Sequence, residues 1–179
     1  RMMAYSSIAH VGYILTGVAS ASVEGMVGAL FYAFVYALMT IGVFTIIGWL
    51  EQEDSTSLLI DAFEGLSTKQ PFLAALMALF MFAFAGVPPF AGFVGKYYVF
   101  LSAVASHHTW LAIVGVLTSV LSAYYYLRIV VFMYFRSNES TMLPTLNIFL
   151  ILSVLFCALA TVLLGVMPSL ITEIIWKAL

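Results

Sequence analysis

The chain has 179 residues, of which 64% are hydrophobic and 8% are charged, whereas soluble domains carry about 25% charged residues. This composition predicts an integral membrane protein. The net charge of −2, with no basic stripe, excludes nucleic acid as a partner. The single cysteine excludes a disulfide framework and a thiolate metal site.

The first residues, from Arg1 onward, lack the basic region, apolar core and cleavage site of a signal peptide. We expect the chain to begin inside a longer protein. A spanning helix needs about 20 apolar residues, and the apolar runs predict an all-α helical bundle that forms a single membrane domain over residues 1–179. The predicted spans lie at about residues 6–21, 26–50, 71–106, 110–135 and 146–164.

Polar side chains on the first two spans indicate faces turned into the bundle. The first span carries Ser6, Ser7, His10 and Tyr13. On the second span, Tyr32, Tyr36 and Thr40 are four residues apart, a spacing that places them on one side of a helix. Their hydroxyls could hold a file of waters or simply pack, and they could conduct a proton without storing one.

Two polar segments, residues 51–70 and 136–145, separate the spans. In the first, Leu58, Leu59, Ala62, Phe63 and Leu66 recur at helical spacing, which predicts a short amphipathic helix in an interfacial loop. If the third span crosses once, Arg1, Lys69 and Arg136 fall on one side, and the positive-inside tendency makes that side, with both loops, cytoplasmic. A hairpin would move Arg136 to the opposite side.

The third span is interrupted by Gly86, Pro88 and Pro89. Proline has no backbone N–H, so the carbonyls of Phe84 and Ala85 lose their helical partners. Irregular backbone at membrane depth needs other hydrogen-bond partners. The sequence therefore predicts one discontinuous transmembrane helix, broken at residues 86–89.

Lys96 follows this break by one and a half turns, within a largely apolar stretch. A charged lysine at the bilayer centre costs about 2.5–3.5 kcal/mol, so an ionisable residue there indicates a functional site. A lysine in this position could take up and release a proton as its surroundings change. The alternatives are a lysine that snorkels to the interface, or one permanently paired with an acid.

Two further ionisable residues are candidates. His10 is the one histidine within a predicted span, and imidazole titrates near neutral pH, so His10 either relays protons or is a hydrogen-bonded core residue. Arg128 stays charged and therefore either snorkels or supplies a fixed charge. The sequence has no Gly-rich phosphate loop after a strand and no catalytic triad. It predicts no cofactor and no metal in this chain.

Three segments of the chain resemble one family. They are Arg1–Tyr13 (RMMAYSSIAHVGY), Ala85–Tyr98 (AGVPPFAGFVGKYY) and Ala123–Arg128 (AYYYLR). Together they resemble the antiporter-like membrane subunits of respiratory complex I, the proton-translocating NADH:quinone oxidoreductase, a family shared with the Mrp antiporters. Within it they resemble the N-type subunits; the first segment alone is shared with sister subunits.

The resemblance implies two inverted five-helix repeats, each with a discontinuous helix. This chain would be most of the second repeat plus the final helix. Lys96 matches the key protonatable lysine of the half-channel that leads to the positive side. M-type subunits have glutamate at that position, and L-type subunits have histidines and a lysine where this chain has Tyr32, Tyr36 and Thr40. Both departures favour the N type and put in doubt a charged relay along the second span.

The function implied is a proton-translocation half-channel coupled to quinone reduction elsewhere. Flavin, iron–sulfur clusters and quinone are expected in partner subunits. The expected partners are lipid and other membrane subunits, especially an M-type neighbour and small membrane subunits, in a bacterial inner membrane. One alternative is a subunit of an Mrp-type cation/proton antiporter or of a membrane-bound hydrogenase-like complex. The other is a structural membrane scaffold without its own ion path.

Overall fold

A computed structural model describes residues 2–51, 60–136 and 147–179, and within these ranges all regular structure is helical. The longer helices are α1 (Met2–Ala19), α2 (Val23–Leu50), α4 (Pro71–Ala85), α5 (Ala91–Ala105), α6 (Thr109–Phe135), α7 (Ile148–Val166) and α8 (Ser169–Ala178). A 3₁₀ turn (Ile60–Phe63) and a short helix α3 (Leu66–Lys69) precede α4. The predicted all-α fold class is confirmed.

Three helices, α2, α6 and α7, are long and apolar enough to cross a membrane by length and composition. The helices α4 and α5 are shorter apolar helices. The five predicted spans coincide with α1, α2, the pair α4–α5, α6 and α7, although α1 begins before residue 6. The number of membrane crossings stays a prediction.

Helix α1 has its polar side inward and its apolar side outward. Its buried residues include Ser6, His10 and Tyr13, whereas Ile8 is 69% exposed and Leu15 is 57% exposed. This arrangement is opposite to that of a helix on a soluble protein, where the polar side faces out. It fits a bundle that is surrounded by lipid and keeps its polar groups inside.

The half-helices α4 and α5 lie one after the other along the same neighbours. Going along α2, the contacts pass from α5 to α4 as the residue numbers of the half-helices fall: Gly28 contacts Tyr98, Tyr32 contacts Gly95, and Gly42 contacts Phe80. Along α6, the corresponding contacts are Gly115 with Phe100, Ser119 with Lys96, and Tyr126 with Phe84. The chain therefore continues in one direction through the break and does not fold back as a hairpin.

The break lies between Ala85 and Ala91. Helix α4 ends at Gly86, whose φ of 87° is in the left-handed region that glycine adopts without strain. The N–H groups of Gly86 and Val87 both donate to the Phe82 carbonyl, which is a common way to end a helix. Helix α7 then crosses close to the break, because a Cβ on Gly165 would lie 2.0 Å from the Pro89 carbonyl oxygen.

The segment before α4 packs beneath the end of α6. Phe63 and Leu66 are buried in the main core, and Glu64 accepts a hydrogen bond from Arg136 at 3.0 Å. The predicted amphipathic helix falls partly on residues 52–59, which lie outside the described residues. So does most of the predicted loop 136–145. Of the segment 51–70, the described part forms the 3₁₀ turn and α3.

Candidate functional site

The two carbonyls left without helical partners by the prolines bind Lys96. Its Nζ donates to the Phe84 carbonyl at 2.9 Å and to the Ala85 carbonyl at 3.2 Å. Those oxygens would otherwise accept from residues 88 and 89, both of which are prolines. The break thus creates a cation site from the backbone at the C-terminal, partially negative end of α4.

A third acceptor completes the site. Lys96 Nζ donates to Ser119 Oγ of α6 at 2.7 Å, and it lies 5.1 Å from the centre of the Tyr13 ring. An ammonium group has three donors, so the charged form is fully hydrogen-bonded by neutral acceptors. Lys96 is 5% exposed and has no carboxylate partner among residues 2–51, 60–136 and 147–179.

An apolar cavity of about 580 Å³ opens between α5 and α6 beside Lys96. Lys96 and Ser119 supply polar groups to a lining that is otherwise mostly apolar, including Phe93, Phe100 and Val116. The amine is therefore buried, yet it adjoins space that a small polar molecule or a neighbouring side chain could enter.

His10 occupies a second polar site, made from tyrosines. Its Nδ1 lies 2.7 Å from the Tyr32 hydroxyl and its Nε2 lies 2.8 Å from the Tyr126 hydroxyl. The Tyr126 hydroxyl also hydrogen-bonds Ser6 Oγ. A neutral imidazole has one donor and one acceptor nitrogen, and each tyrosine hydroxyl can meet either need. The site accepts both tautomers of His10.

Aromatic rings enclose this histidine and connect it with the lysine. The His10 ring stacks on Tyr36 at 4.8 Å and meets Phe84 edge-on at 5.1 Å. Tyr13 lies between the two sites, because its ring is 5.7 Å from the His10 ring and 5.1 Å from Lys96 Nζ. Phe84 belongs to both, since its carbonyl binds Lys96.

The predicted row of hydroxyls on α2 is only partly assembled at the site. Tyr32 bonds His10 through its hydroxyl, and Tyr36 contacts the same imidazole through its ring. Thr40 Oγ1 is buried, but has no hydrogen-bond partner among the described residues. An α-helix turns about 100° per residue, so each step of four residues rotates the side chain by about 40°. Thr40 consequently points away from the face that Tyr32 occupies.

Arg128 lies apart from both sites. It is exposed, and its guanidinium carbon is 5.4 Å from the centre of the Phe132 ring, one turn later on α6. The side chain therefore runs toward the C-terminal end of α6. No contact of the described residues connects it with Lys96 or His10, and its predicted role as a fixed charge stays a prediction.

The structure adds two partners that the sequence prediction did not assign to a site, Ser119 and Tyr126, whereas Ser6 is one of the α1 residues that were predicted to face the bundle. Ser119 and Tyr126 share one face of α6, since seven residues make about two helical turns. That spacing was the available signal, but it does not say which helix the face contacts. Among the described residues, no group of three or more His, Cys, Asp or Glu side chains could hold a metal ion.

Comparison with known proteins gives the family. The family profile described as NADH:quinone oxidoreductase/Mrp antiporter, TM, matches residues 1–122. The NADH-quinone oxidoreductase subunit N 1 of Chloroherpeton thalassium is 46% identical over 100% of this chain and 37% of its own length. The chain thus spans a little over a third of that relative.

Solved structures show the same arrangement of helices. A chain of respiratory complex I from Thermus thermophilus with bound NADH has a TM-score of 0.84 and 29% identity, over 98% of this chain and 38% of that one. A chain of the Mrp complex from Dietzia sp. DQ12-45-1b has a TM-score of 0.79 at 21% identity, over 97% of this chain and 41% of that one; this second likeness concerns the fold. On the profile match and the 46% identity, the chain belongs to the NADH:quinone oxidoreductase/Mrp antiporter family of membrane proteins.

Proposed function

We propose that this chain forms one section of a proton path in a membrane-arm subunit of an NADH:quinone oxidoreductase. Proton movement along it is coupled to quinone reduction in other subunits. The observation that carries the proposal is the site of Lys96, a buried ammonium held by three neutral acceptors and by no acid among the described residues. A permanent ion pair would keep the proton in place, whereas neutral acceptors let the charge be lost and regained.

Lys96 is the residue that stores the proton. Its charged form is stabilised by hydrogen bonds to the carbonyl oxygens of Phe84 and Ala85 and to the hydroxyl oxygen of Ser119. Charge movements in neighbouring subunits alternately raise and lower its proton affinity, because Coulomb energies are large where water is excluded. The cavity beside Ser119 gives the proton an approach to the amine.

His10 transfers protons in this proposal and does not store them. A proton that reaches one nitrogen can leave from the other, with Tyr126 and Ser6 on one side and Tyr32 on the other. Such an exchange swaps the imidazole tautomer and leaves no net charge on the ring. Tyr36 keeps the ring in place by stacking, and Thr40 is a more distant conduit on the same helix.

The assembly proposed for the chain is supported by its likeness to subunits of NADH-quinone oxidoreductases. Its neighbours are other membrane subunits, including an M-type antiporter-like subunit and small membrane subunits, in a bacterial inner membrane. Flavin, iron–sulfur clusters and quinone are held by partner subunits. In this proposal loops 51–70 and 136–145 are cytoplasmic, an orientation supported by Arg1, Lys69 and Arg136 through the positive-inside tendency. The single path of α4 and α5 along α6 supports this orientation, because it keeps Lys69 and Arg136 at one end of the bundle.

Substitution of Lys96 in the full-length chain tests the proposal. We expect Lys96→Met to lower the rate of quinone-linked proton translocation by the assembled complex to below about a tenth of the unsubstituted rate. Positioned acid–base groups typically raise the rate of a proton transfer at least a hundredfold. Lys96→Arg should be nearly as inactive, since arginine keeps its charge and cannot release a proton. Lys177→Met, an exposed lysine on α8, is the matched control and should retain activity.

Three outcomes would contradict the proposal. If Lys96→Met left proton translocation per quinone reduced intact, Lys96 would not lie on the path. If it lowered the amount of assembled complex but not the activity per complex, the chain would be a structural scaffold. If the native assembly moved Na⁺ or another cation against protons without quinone and lacked flavin and iron–sulfur subunits, it would be an Mrp-type antiporter.

A further inference from the structure

Two arginines at the end of α6 contact the same aromatic ring. The guanidinium carbon of Arg128 is 5.4 Å from the centre of the Phe132 ring, and that of Arg136 is 3.9 Å from it. Arg128 lies on the apolar part of the helix, and Arg136 follows its last residue, Phe135. The ring therefore holds two positive charges close together where a membrane helix reaches its end.

These charges are incompletely neutralised by the described part of the chain. Arg136 donates through Nη1 to Glu64 Oε1 at 3.0 Å, and most of its five N–H donors have no acceptor among the described residues. Arg128 has no acidic partner and no hydrogen bond within residues 2–51, 60–136 and 147–179. Arginine cannot shed its charge, so the pair together attracts an anion.

The two arginines border an open cavity of about 490 Å³ on the outer side of α6, whose described lining residues come from α6 and from Arg136 directly after it. Its remaining lining is Tyr124, Leu127, Val131 and Phe132. Tyr124, Leu127 and Val131 are exposed, and they lie toward the middle of the helix from Arg136. Both guanidinium groups lie beside Phe132, near the end of α6, whereas the part of the cavity beside Tyr124 and Leu127 carries no charge.

We propose that this cavity binds one anionic phospholipid. Its phosphodiester lies between Arg128 and Arg136, and an acyl chain runs along Leu127 and Val131 toward the bilayer centre. Basic pockets near the ends of membrane helices commonly bind such headgroups, and planar guanidinium groups match phosphate oxygens in paired hydrogen bonds. The uncharged part of the cavity, beside Tyr124 and Leu127, favours a lipid, because a free phosphate ion would leave that part unfilled. The proposal does not depend on the proton path.

Site-specific lipid labelling tests the proposal. The complete assembly containing the full-length chain is placed in phosphatidylcholine bilayers with a minor fraction of photoreactive phosphatidylglycerol, and labelling of the α6 peptide is measured. We expect Arg128→Gln and Arg136→Gln each to lower this labelling about fivefold, and the double variant to lower it further. Lys177→Gln, at the end of α8, is the control and should leave labelling unchanged.

Each other result overturns the lipid site in a recognisable way. Equal labelling of α6 by photoreactive phosphatidylcholine and phosphatidylglycerol, or an unchanged signal in the double variant, shows that the arginines bind no anionic lipid. Displacement of the label by inorganic phosphate shows a site for the anion without its acyl chains. If the double variant kept its labelling but lost a partner subunit from the purified assembly, the arginines would bind a carboxylate of that subunit and not a lipid. The melting temperature of each variant confirms that the fold is retained.

Discussion

Lys96 and His10 are buried among the same helices, but their partners differ in kind. Lys96 is held by acceptors, two of which are backbone carbonyls fixed by the helix break. His10 is held by the hydroxyls of Tyr32 and Tyr126, which can donate or accept. Fixed acceptors stabilise a charge, whereas hydroxyls adapt to either tautomer of a neutral ring. The difference teaches that an interrupted helix suits charge storage and an intact helix with tyrosines suits transfer.

The largest effect is expected where the break packs on α7. In Gly165→Ala, the new Cβ would lie 2.0 Å from the Pro89 carbonyl oxygen and 2.6 Å from the Ala91 nitrogen. Both are backbone atoms, so the break must shift. We expect a loss of about 3 kcal/mol in the free energy of unfolding, the upper range for overpacking, measured by denaturant unfolding of the full-length protein.

Gly12 provides the matched control for that substitution. It lies on α1, two residues from His10, and a Cβ there would meet nothing within 4 Å. Alanine is favoured over glycine inside a helix by roughly 0.5–1 kcal/mol, so Gly12→Ala should be neutral or stabilising. Equal destabilisation by the two substitutions would show that the break is not more sensitive than α1.

A smaller effect is expected at Ser119, the one side-chain acceptor of Lys96 among the described residues. Ser119→Ala removes a hydrogen bond to a charged group, which is worth about 1.5–3 kcal/mol. We expect proton translocation to fall about tenfold while the His10 site stays intact. Ser122→Ala is the control, because Ser122 donates to the Ser119 backbone carbonyl and does not contact the lysine. Similar losses in both variants would assign the effect to α6 packing.

The corresponding test on the histidine side is Tyr126→Phe. This substitution removes the hydroxyl that bonds His10 Nε2 and Ser6, but keeps the ring that stacks on Phe84. Loss of the neutral hydrogen bond to His10 costs about 1 kcal/mol, which corresponds to a rate about fivefold lower, so we expect proton translocation to slow about fivefold. Tyr124→Phe, on the same helix and 73% exposed, should have no effect. A loss as large as that of Ser119→Ala would mean that His10 also holds charge.

The sequence predicted the components of the lysine site, but not the contact between them. Because proline lacks an N–H, the unpaired carbonyls of Phe84 and Ala85 followed from local chemistry, and both bind Lys96 in the structure. These carbonyls lie at the end of α4, where the partial negative charge of a helix terminus favours a cation. Local spacing could not show that the lysine side chain reaches back across the break.

The histidine site could not be assembled from one sequence. Tyr126 is 116 residues from His10 along the chain, and helical periodicity gives the faces of a helix without saying which faces meet. All three tyrosines from 124 to 126 have the same local signal, yet only Tyr126 bonds the imidazole within the described residues. The same limitation applies to Ser119, whose partner is on α5.

The smallest effect is expected at Thr40. Substitution of this residue distinguishes a continuous row of hydroxyls along α2 from a site that ends at Tyr36. Thr40 Oγ1 is buried and has no hydrogen-bond partner among the described residues, so Thr40→Val, which replaces the hydroxyl by a methyl group, should leave the free energy of unfolding unchanged or raise it slightly. Thr45→Val, which removes a bond to the Ile41 carbonyl, is the control in the same helix. Because Thr40 is proposed as a distant conduit, Thr40→Val should slow proton translocation slightly, whereas Thr45→Val should not. An unchanged rate in both variants would end the conduit at Tyr36 and leave the histidine site as a closed counterpart to the lysine site.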